Sequence, residues 1–170
     1  MKAEQFSKNI LELDPMIRSA GVMEKSGHLY ARSQREGIEE RLKGRSSDIS
    51  YSQSAYIVDL RKMFTPELGN LKTVVYLYDK VILASFPVKD HLLVISAEAT
   101  AKVDDLCGKI LKYVISVENE LSLYPPGNIV NPEKKEMLWN LYQSGISEEL
   151  IAEQLDLDVN TVKMLIAEIK

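Results

Sequence analysis

The sequence predicts an α+β domain, a five-stranded antiparallel sheet with flanking helices, followed by a small all-α unit of three helices. Five short β-rich runs stand among amphipathic helical segments, and the last three runs are joined by the short connections Asp79-Lys80 and Lys89-Asp90. Connections this short favour antiparallel hairpins. Two prolines and a glycine in a row, at residues 125–127, indicate a linker. The predicted organisation is a domain over 1–122, a linker over 123–131 and a helical unit over 132–170.

The first domain reads, in order, helix, two strands, helix, three strands, helix. Pro15 ends the first helical period, and a polar loop over residues 34–47 follows the second strand. Ser46, Ser47 and Asp48 offer N-cap oxygens for the second helix. The predicted elements are a helix over 3–13, strands over 17–23 and 28–32, a helix over 49–64, strands over 73–78, 81–88 and 92–97, and a helix over 101–121.

Composition and hydropathy predict an ordinary cytoplasmic protein. The 170 residues are 45% hydrophobic and 27% charged, which is close to the average of globular domains. The longest apolar runs fall far short of the roughly 18 residues that cross a bilayer, and no apolar segment follows Met1 as in a secretory signal. The single cysteine, Cys107, forms no internal disulfide, which fits a reducing compartment. No membrane partner is expected.

The residue types that carry catalysis are not arranged for it. His28 and His91 lie far apart, and neither has the spacing of metal ligands. Gly108-Lys109 lacks both the upstream glycine and the following Ser or Thr of a phosphate-binding loop. Cys107 lies within a helical apolar pattern, which favours a buried and inert thiol. The sequence therefore predicts a protein that is not an enzyme, with no catalytic residue, metal or cofactor.

The order of elements over residues 3–121 resembles that of the roadblock and profilin-like domains. This resemblance implies a small module that dimerises and acts as a scaffold or as a regulator of small GTPases. The chain is also similar to a group of small archaeal proteins of unknown role, which carry an Arg-Glu-Gly after the second strand. Here that tripeptide is Arg35-Glu36-Gly37.

In roadblock domains the second helix and the middle strand usually form the dimer face. By position, the resemblance implicates the helix over 51–64 and the strand over 73–78. This region is rich in tyrosines, and aromatic residues are enriched at interfaces. The alternative is that these tyrosines are ordinary core and half-buried residues. The predicted dimer interface of the expected homodimer comprises Tyr51, Tyr56, Leu60, Tyr76 and Tyr78.

The last segment of the chain predicts three helices of about ten residues joined by short turns, which is the plan of helix-turn-helix domains. Asn131 and Pro132 are typical of a helix start, and Ser147 and Asp158 can cap the next two helices. The run over 145–169 resembles the helix-turn-helix of response-regulator output domains and of sigma-factor region four.

That second resemblance implies DNA binding near the start of the third helix. The predicted contacts are Asn160, Thr161, Lys163 and Met164, with Lys134 and Lys135 on the DNA backbone. Charge opposes this hypothesis, because residues 132–170 carry four basic and eight acidic residues, while residues 1–131 carry 17 of each. An acidic segment neutralises few phosphates. The alternative is a protein-interaction module.

A basic cluster lies in and around the polar loop over residues 34–47. Such a loop can hold an anionic ligand or a partner, and the alternative is a solvated loop without a ligand. The residues of this predicted site are Arg32, Arg35, Arg41, Lys43 and Arg45.

Three functions stay open at this point. The leading hypothesis is a DNA-binding transcription regulator whose α/β domain dimerises or senses. The alternative is a roadblock-type adaptor that binds a small GTPase or another protein, with the helical tail as a second docking site. A third hypothesis, a ligand-sensing module, requires a pocket between the sheet and its helices.

Overall fold

The computed structural model describes residues 1–121, 123, 132–155, 157 and 159–169, with the backbone alone at residues 132, 133, 160, 164, 168 and 169. These residues form two compact units, Met1–Tyr124 and Pro125–Lys170. In the described ranges, no helix combines the length and the hydropathy needed to cross a bilayer.

The first unit contains a five-stranded antiparallel sheet with the strand order β2-β1-β5-β4-β3. This arrangement confirms the predicted sheet with flanking helices. A 3₁₀ turn over Glu118–Glu120 follows the last helix. The elements are α1 Ala3–Glu12, β1 Ile17–Glu24, β2 Leu29–Gln34, α2 Arg45–Lys62, α3 Thr65–Leu68, β3 Val74–Leu77, β4 Ile82–Val88, β5 His91–Ala97 and α4 Val103–Val117.

The two faces of the sheet differ in how much apolar surface they bury. On one face α1 and α4 cover the main core, whose largest side chains include Phe6, Phe86 and Ile110. On the other face α2 contributes Ala55 and Val58 to a small cluster with strand residues such as Val94. The central strand β5 is covered on both sides, and six of its seven residues are buried. The α1 and α4 face therefore carries most of the stabilisation from apolar burial.

The predicted start of the second helix and its predicted capping need correction. Helix α2 begins at Arg45 rather than at residue 49, because Gly44 adopts a positive φ of 54° and turns the chain into the helix there. No side chain hydrogen-bonds the start of α2, so the predicted capping by Ser46, Ser47 or Asp48 is wrong. The four-residue helix α3 was not expected from the sequence. Leu123, assigned to the linker, is buried in the main core.

The second unit contains three helices, α5 Pro132–Gln143, α6 Glu148–Leu155 and α7 Val159–Ile169. Gly145 lies between α5 and α6 with a positive φ of 77°, which glycine adopts at little cost. Ala152, Val162 and Ile166 are buried. The core of this unit is formed by Leu138, Ile151, Ala152, Leu155, Val162, Leu165 and Ile166.

Candidate functional site

Helix α2 exposes an apolar row to solvent, which is unusual for a helix that covers a sheet. The row comprises Ile49, Tyr56, Leu60 and Met63, and is called the α2 face below. Steps of seven, four and three residues place these side chains on one side of a helix, and Met63 is the C-cap residue that follows α2. Tyr56 is 65% exposed and Leu60 is 45% exposed. Contiguous apolar surface of this kind is typical of interaction sites.

Strand β3 extends this surface at the edge of the sheet. In the strand register, Tyr76 pairs with Leu83. Leu83 lines a cavity that lies between α2 and the sheet. Tyr76 therefore lies on the same side of the sheet as α2, because paired residues share a face. Tyr78, one residue past β3, lines the same cavity. Tyr78 is 59% exposed. Burial is the main cause that raises the pKa of the half-buried Tyr76 hydroxyl above its ordinary value.

The predicted dimer residues thus separate into two groups. Tyr56, Leu60 and Tyr78 are exposed, and Tyr76 lies half-buried beside them on the edge strand. Tyr51 instead packs against the small core cluster between α2 and the sheet. In the strand order, β3 has a neighbour, β4, on one side only, so its other side is available for strand pairing.

The basic cluster of the sequence is not a free cationic loop. Arg32 lies in β2 and pairs with Glu40 at 2.6 Å, and Lys43 pairs with Glu39 at 3.2 Å. Arg45 is the first residue of α2. The cluster therefore spans a strand, the loop and the start of a helix, and its binding of an anionic ligand or a partner stays a prediction. Arg41 is exposed.

Arg35 joins the end of α1 to the sheet. Its Nε donates to the Ile17 carbonyl at 3.0 Å, and its Nη2 donates to the carbonyls of Leu11 and Asp14 at 2.8 and 3.2 Å. The last carbonyls of a helix lack intrahelical partners, and a cation near them is stabilising. Arg35 therefore acts inside the fold and is not placed to hold a ligand.

Arg18 is a residue that the sequence analysis missed. It lies where the pairing of β1 with β5 shifts register, between Ile17 and Ser19, and such bulges redirect a side chain. It is only 6% exposed. Its Nη1 donates to Glu98 Oε1 at 2.6 Å and its Nη2 to the Glu39 carbonyl at 2.8 Å. An arginine inside an apolar strand pattern was the signal that could have identified it.

In the second unit, two of the predicted DNA contacts are engaged within the unit. Lys134 Nζ donates to the Leu155 carbonyl at 2.8 Å, and Lys163 Nζ lies 3.8 Å from Glu148 Oε2. Thr161 is half-buried, and Lys135 is exposed. The side chains of Asn160 and Met164 lie outside the described residues. Both engaged lysines already interact with protein oxygens, which weakens their attraction for phosphate.

Within the ranges that the structure describes, no group of three or more His, Cys, Asp or Glu side chains could hold a metal ion. Cys107 is buried, and burial raises the pKa of its thiol. His91 lies edge-on to Tyr30, and burial is the main cause that lowers the pKa of its imidazole.

Solved structures resemble the α/β unit over about 70% of this chain. The Roadblock/LC7 domain from Streptomyces avermitilis superposes with a TM-score of 0.55 and 16% identity, covering 71% of this chain and 98% of that domain. The gliding protein MglB from Thermus thermophilus gives 0.53 and 17%, covering 70% and 90%. An MglB described as having a tetrameric arrangement gives 0.53 and 18%, covering 69% and 88%. At these identities the likeness shows the fold alone, which is the roadblock fold.

At the level of sequence, a model described as "Family of unknown function (DUF6659)" matches residues 2–122. No curated protein matches the chain. The similarity to small archaeal proteins stays a prediction.

Proposed function

Because the chain belongs to the DUF6659 family, whose description assigns no function, we propose a function from this chain's own fold and surface. The protein is a non-enzymatic cytoplasmic adaptor of the roadblock kind. It associates with a second copy of itself through α2 and β3, and it binds a small GTPase or another protein. This proposal corresponds to the alternative of the sequence analysis rather than to its leading hypothesis.

The observation that carries the proposal is the exposed α2 face beside an edge strand. Burying one large apolar side chain contributes about 1.5–3 kcal/mol, so Ile49, Tyr56, Leu60 and Met63 together supply a useful part of an association energy. A stable interface buries roughly 1,200–2,000 Å² in total. In each copy, the α2 face together with Tyr76 and Tyr78 forms an apolar and aromatic surface that a second copy can cover. A roadblock-fold relative described with a tetrameric arrangement supports self-association.

Sizing with multi-angle light scattering tests the self-association. At micromolar concentration the full chain is expected as a dimer, and Leu60→Glu is expected as a monomer because it places a charge at the centre of the apolar row. Ile115→Glu is the matched control, since Ile115 is 69% exposed on α4, on the opposite side of the sheet. A monomeric wild type, or equal effects of the two variants, contradicts this part of the proposal.

The partner class follows from the resemblance to roadblock modules and is tested separately. Small GTPases of the organism that makes this protein are purified and loaded with a GTP analogue or with GDP. Each is titrated onto the immobilised full chain, and binding is measured by biolayer interferometry. At least one GTPase is expected to bind, with an affinity that depends on the nucleotide. If none binds in either state, the GTPase part is wrong while the dimer result stands on its own.

A second candidate function is DNA binding by the C-terminal unit, and the observation that favours it is the three-helix order of α5, α6 and α7 around one core. We assign this unit as a helix-turn-helix on that order. Fluorescence anisotropy of the full chain with mixed genomic fragments at low salt tests it. Binding that Lys163→Glu abolishes supports the hypothesis, whereas no binding by the folded protein leaves the unit as a protein-interaction module.

A further inference from the structure

A cavity of about 770 Å³ lies on the α2 side of the sheet. Its lining includes strand residues from β1, β4 and β5, the first half of α2, and the chain segment over 38–42. Sites for small molecules in proteins usually occupy about 300–1,000 Å³. The cavity therefore has the volume of a ligand site, and the proposed adaptor function makes no use of it.

The cavity exists because the side chains that the sheet presents to α2 change from large to small along the helix. Under the later part of α2, the strands present large apolar side chains, Met23, Leu92 and Val94, which pack against Ala55 and Val58. Towards the first half of α2, the cavity is instead lined by small residues: Ser19, Gly21, Ser85 and Ser96. Small side chains cannot fill the space below a helix, and protein interiors are otherwise close-packed.

The floor of the cavity carries polar groups that an apolar core excludes. Ser19 and Ser96 are register partners, and their hydroxyl oxygens lie 2.6 Å apart. Ser85 is also buried and belongs to the same lining. A buried hydroxyl is costly unless it has a hydrogen-bond partner. Three hydroxyls on one floor form a surface suited to a ligand with hydrogen-bonding groups.

Two guanidinium groups lie in the same lining. Arg18, nearly fully buried, donates to Glu98 and to the Glu39 carbonyl, which uses two of the five N–H groups that an arginine offers. Arg32 pairs with Glu40 through a single Nη1 contact. Arginine recognises carboxylate and phosphate groups through paired N–H donors. Among the residues that the structure describes, the contacts of these two arginines leave three N–H groups of Arg18 and four of Arg32 unused, beside the acidic residues Glu39, Glu40 and Asp79 that also line the cavity.

Apolar side chains lie on both sides of the cavity, since Ile49 and Tyr51 of α2 and Leu83 of β4 line it. The other α2 residues of the lining are polar: Ser46, Ser47, Ser50, Gln53 and Ser54. We propose that the cavity binds a small organic anion. Its acidic group is held by Arg18 and Arg32 over the serine floor, and its apolar body packs against Ile49, Tyr51 and Leu83. Tyr78 and Ile49 connect this site to the predicted dimer surface, so a bound anion contacts the same helix that the adaptor uses.

Two fluorescent dyes that differ by one charged group test this proposal. The first is 1-anilinonaphthalene-8-sulfonate, an organic anion with a flat apolar body. The second is N-phenyl-1-naphthylamine, which has the same body without the sulfonate. The full chain is expected to bind one sulfonated dye per chain and to bind the neutral dye about tenfold more weakly, as expected when a charge-assisted hydrogen bond is lost.

Three variants locate the binding. Ser96→Leu fills the floor of the cavity, and binding of both dyes is expected to be lost. Arg32→Gln removes one guanidinium, and the preference for the sulfonated dye is expected to fall to near unity while the neutral dye binds as before. Ile115→Ala removes an exposed side chain of α4, on the opposite side of the sheet, and is expected to leave both affinities unchanged. Circular dichroism and thermal melting establish that each variant is folded.

Several results overturn the proposal. They are the absence of saturable dye binding, equal affinities of the two dyes for the wild type, and loss of binding in Ile115→Ala. A dye affinity that falls as protein concentration rises also overturns it, because a second copy then occupies the cavity. If Ser96→Leu does not fold, Arg32→Gln tests the proposal alone, because the Arg32 side chain is partly exposed and its replacement should leave the fold intact. A preference for the sulfonated dye that stays at the wild-type value in Arg32→Gln then overturns the proposal.

Discussion

Arg35 is the clearest case of a residue whose role depends on contacts that lie far apart in sequence. It donates to the carbonyls of Leu11, Asp14 and Ile17. Arg35→Lys keeps the charge but loses the planar arrangement of donors. We expect the free energy of unfolding to fall by about 2 kcal/mol, measured by urea denaturation. Arg41→Lys, at an exposed position, is the control and should change it little.

Asp14 gives a pH-dependent prediction. Lys109 Nζ lies 2.8 Å from Asp14 Oδ2, and the Met16 N–H donates to Asp14 Oδ1 at 2.9 Å. These contacts, with the Lys109 hydrogen bond as the largest cause, lower the pKa of the Asp14 carboxyl. A carboxyl with a lowered folded-state pKa stabilises the fold above its ordinary pKa, and this stabilisation is lost as pH falls through the lowered value.

Asp14→Asn should therefore lower the free energy of unfolding by about 1 kcal/mol at neutral pH. The difference from the wild type should shrink as the solution is acidified below the ordinary aspartate range. Asp105→Asn removes the more exposed partner of the same Lys109 and should cost less. A cost of Asp14→Asn that does not change with pH would show that the charge of Asp14 has no part in stability.

At the scale of elements, local patterns predicted the five strands and the three main helices of the first unit, because apolar periodicity and chain breakers are local properties. The start of α2 was placed too late, since serine and aspartate are favoured caps, whereas the backbone turns at Gly44. The cavity was not predicted in detail, because Ser19, Ser85 and Ser96 come together only through the strand order. The separate orientations of Tyr51 and Tyr56 likewise depend on how α2 sits on the sheet.

Alanine substitutions at two glycines, Gly44 and Gly108, are expected to change stability in opposite directions. Gly44 precedes α2 with φ +54°, and a Cβ there would meet no atom within 4 Å, so Gly44→Ala should cost about 1 kcal/mol through backbone strain alone. Gly108 lies within α4, also with open space around it. Gly108→Ala should therefore stabilise the protein by about 0.5–1 kcal/mol. Thermal melting measures the change in melting temperature of each variant. A change in the same direction for both variants would contradict this explanation.

At the scale of the whole molecule, the α/β unit is expected to fold without the C-terminal helices. The predicted linker falls mostly outside the described residues, but Leu121 and Leu123 are buried in the main core. A fragment over 1–123 should unfold cooperatively and keep the oligomeric state of the full chain. A fragment over 1–120 loses both leucines and should be less stable by about 4 kcal/mol or more. Chemical denaturation with sizing compares the two, and equal stability would place the domain end before Leu121.

The strand order also determines when, during synthesis, the sheet can be completed. Strand β1 pairs on its inner side with β5, and β5 is the last strand to be made. The hairpin of β1 and β2 is complete by Gln34, and an isolated two-stranded hairpin is marginally stable. Translation adds roughly 5–20 residues per second, so several seconds pass between the synthesis of this hairpin and the synthesis of β5. During that interval β1 lacks its β5 neighbour, and we expect its apolar side chains to be more exposed than in the complete sheet.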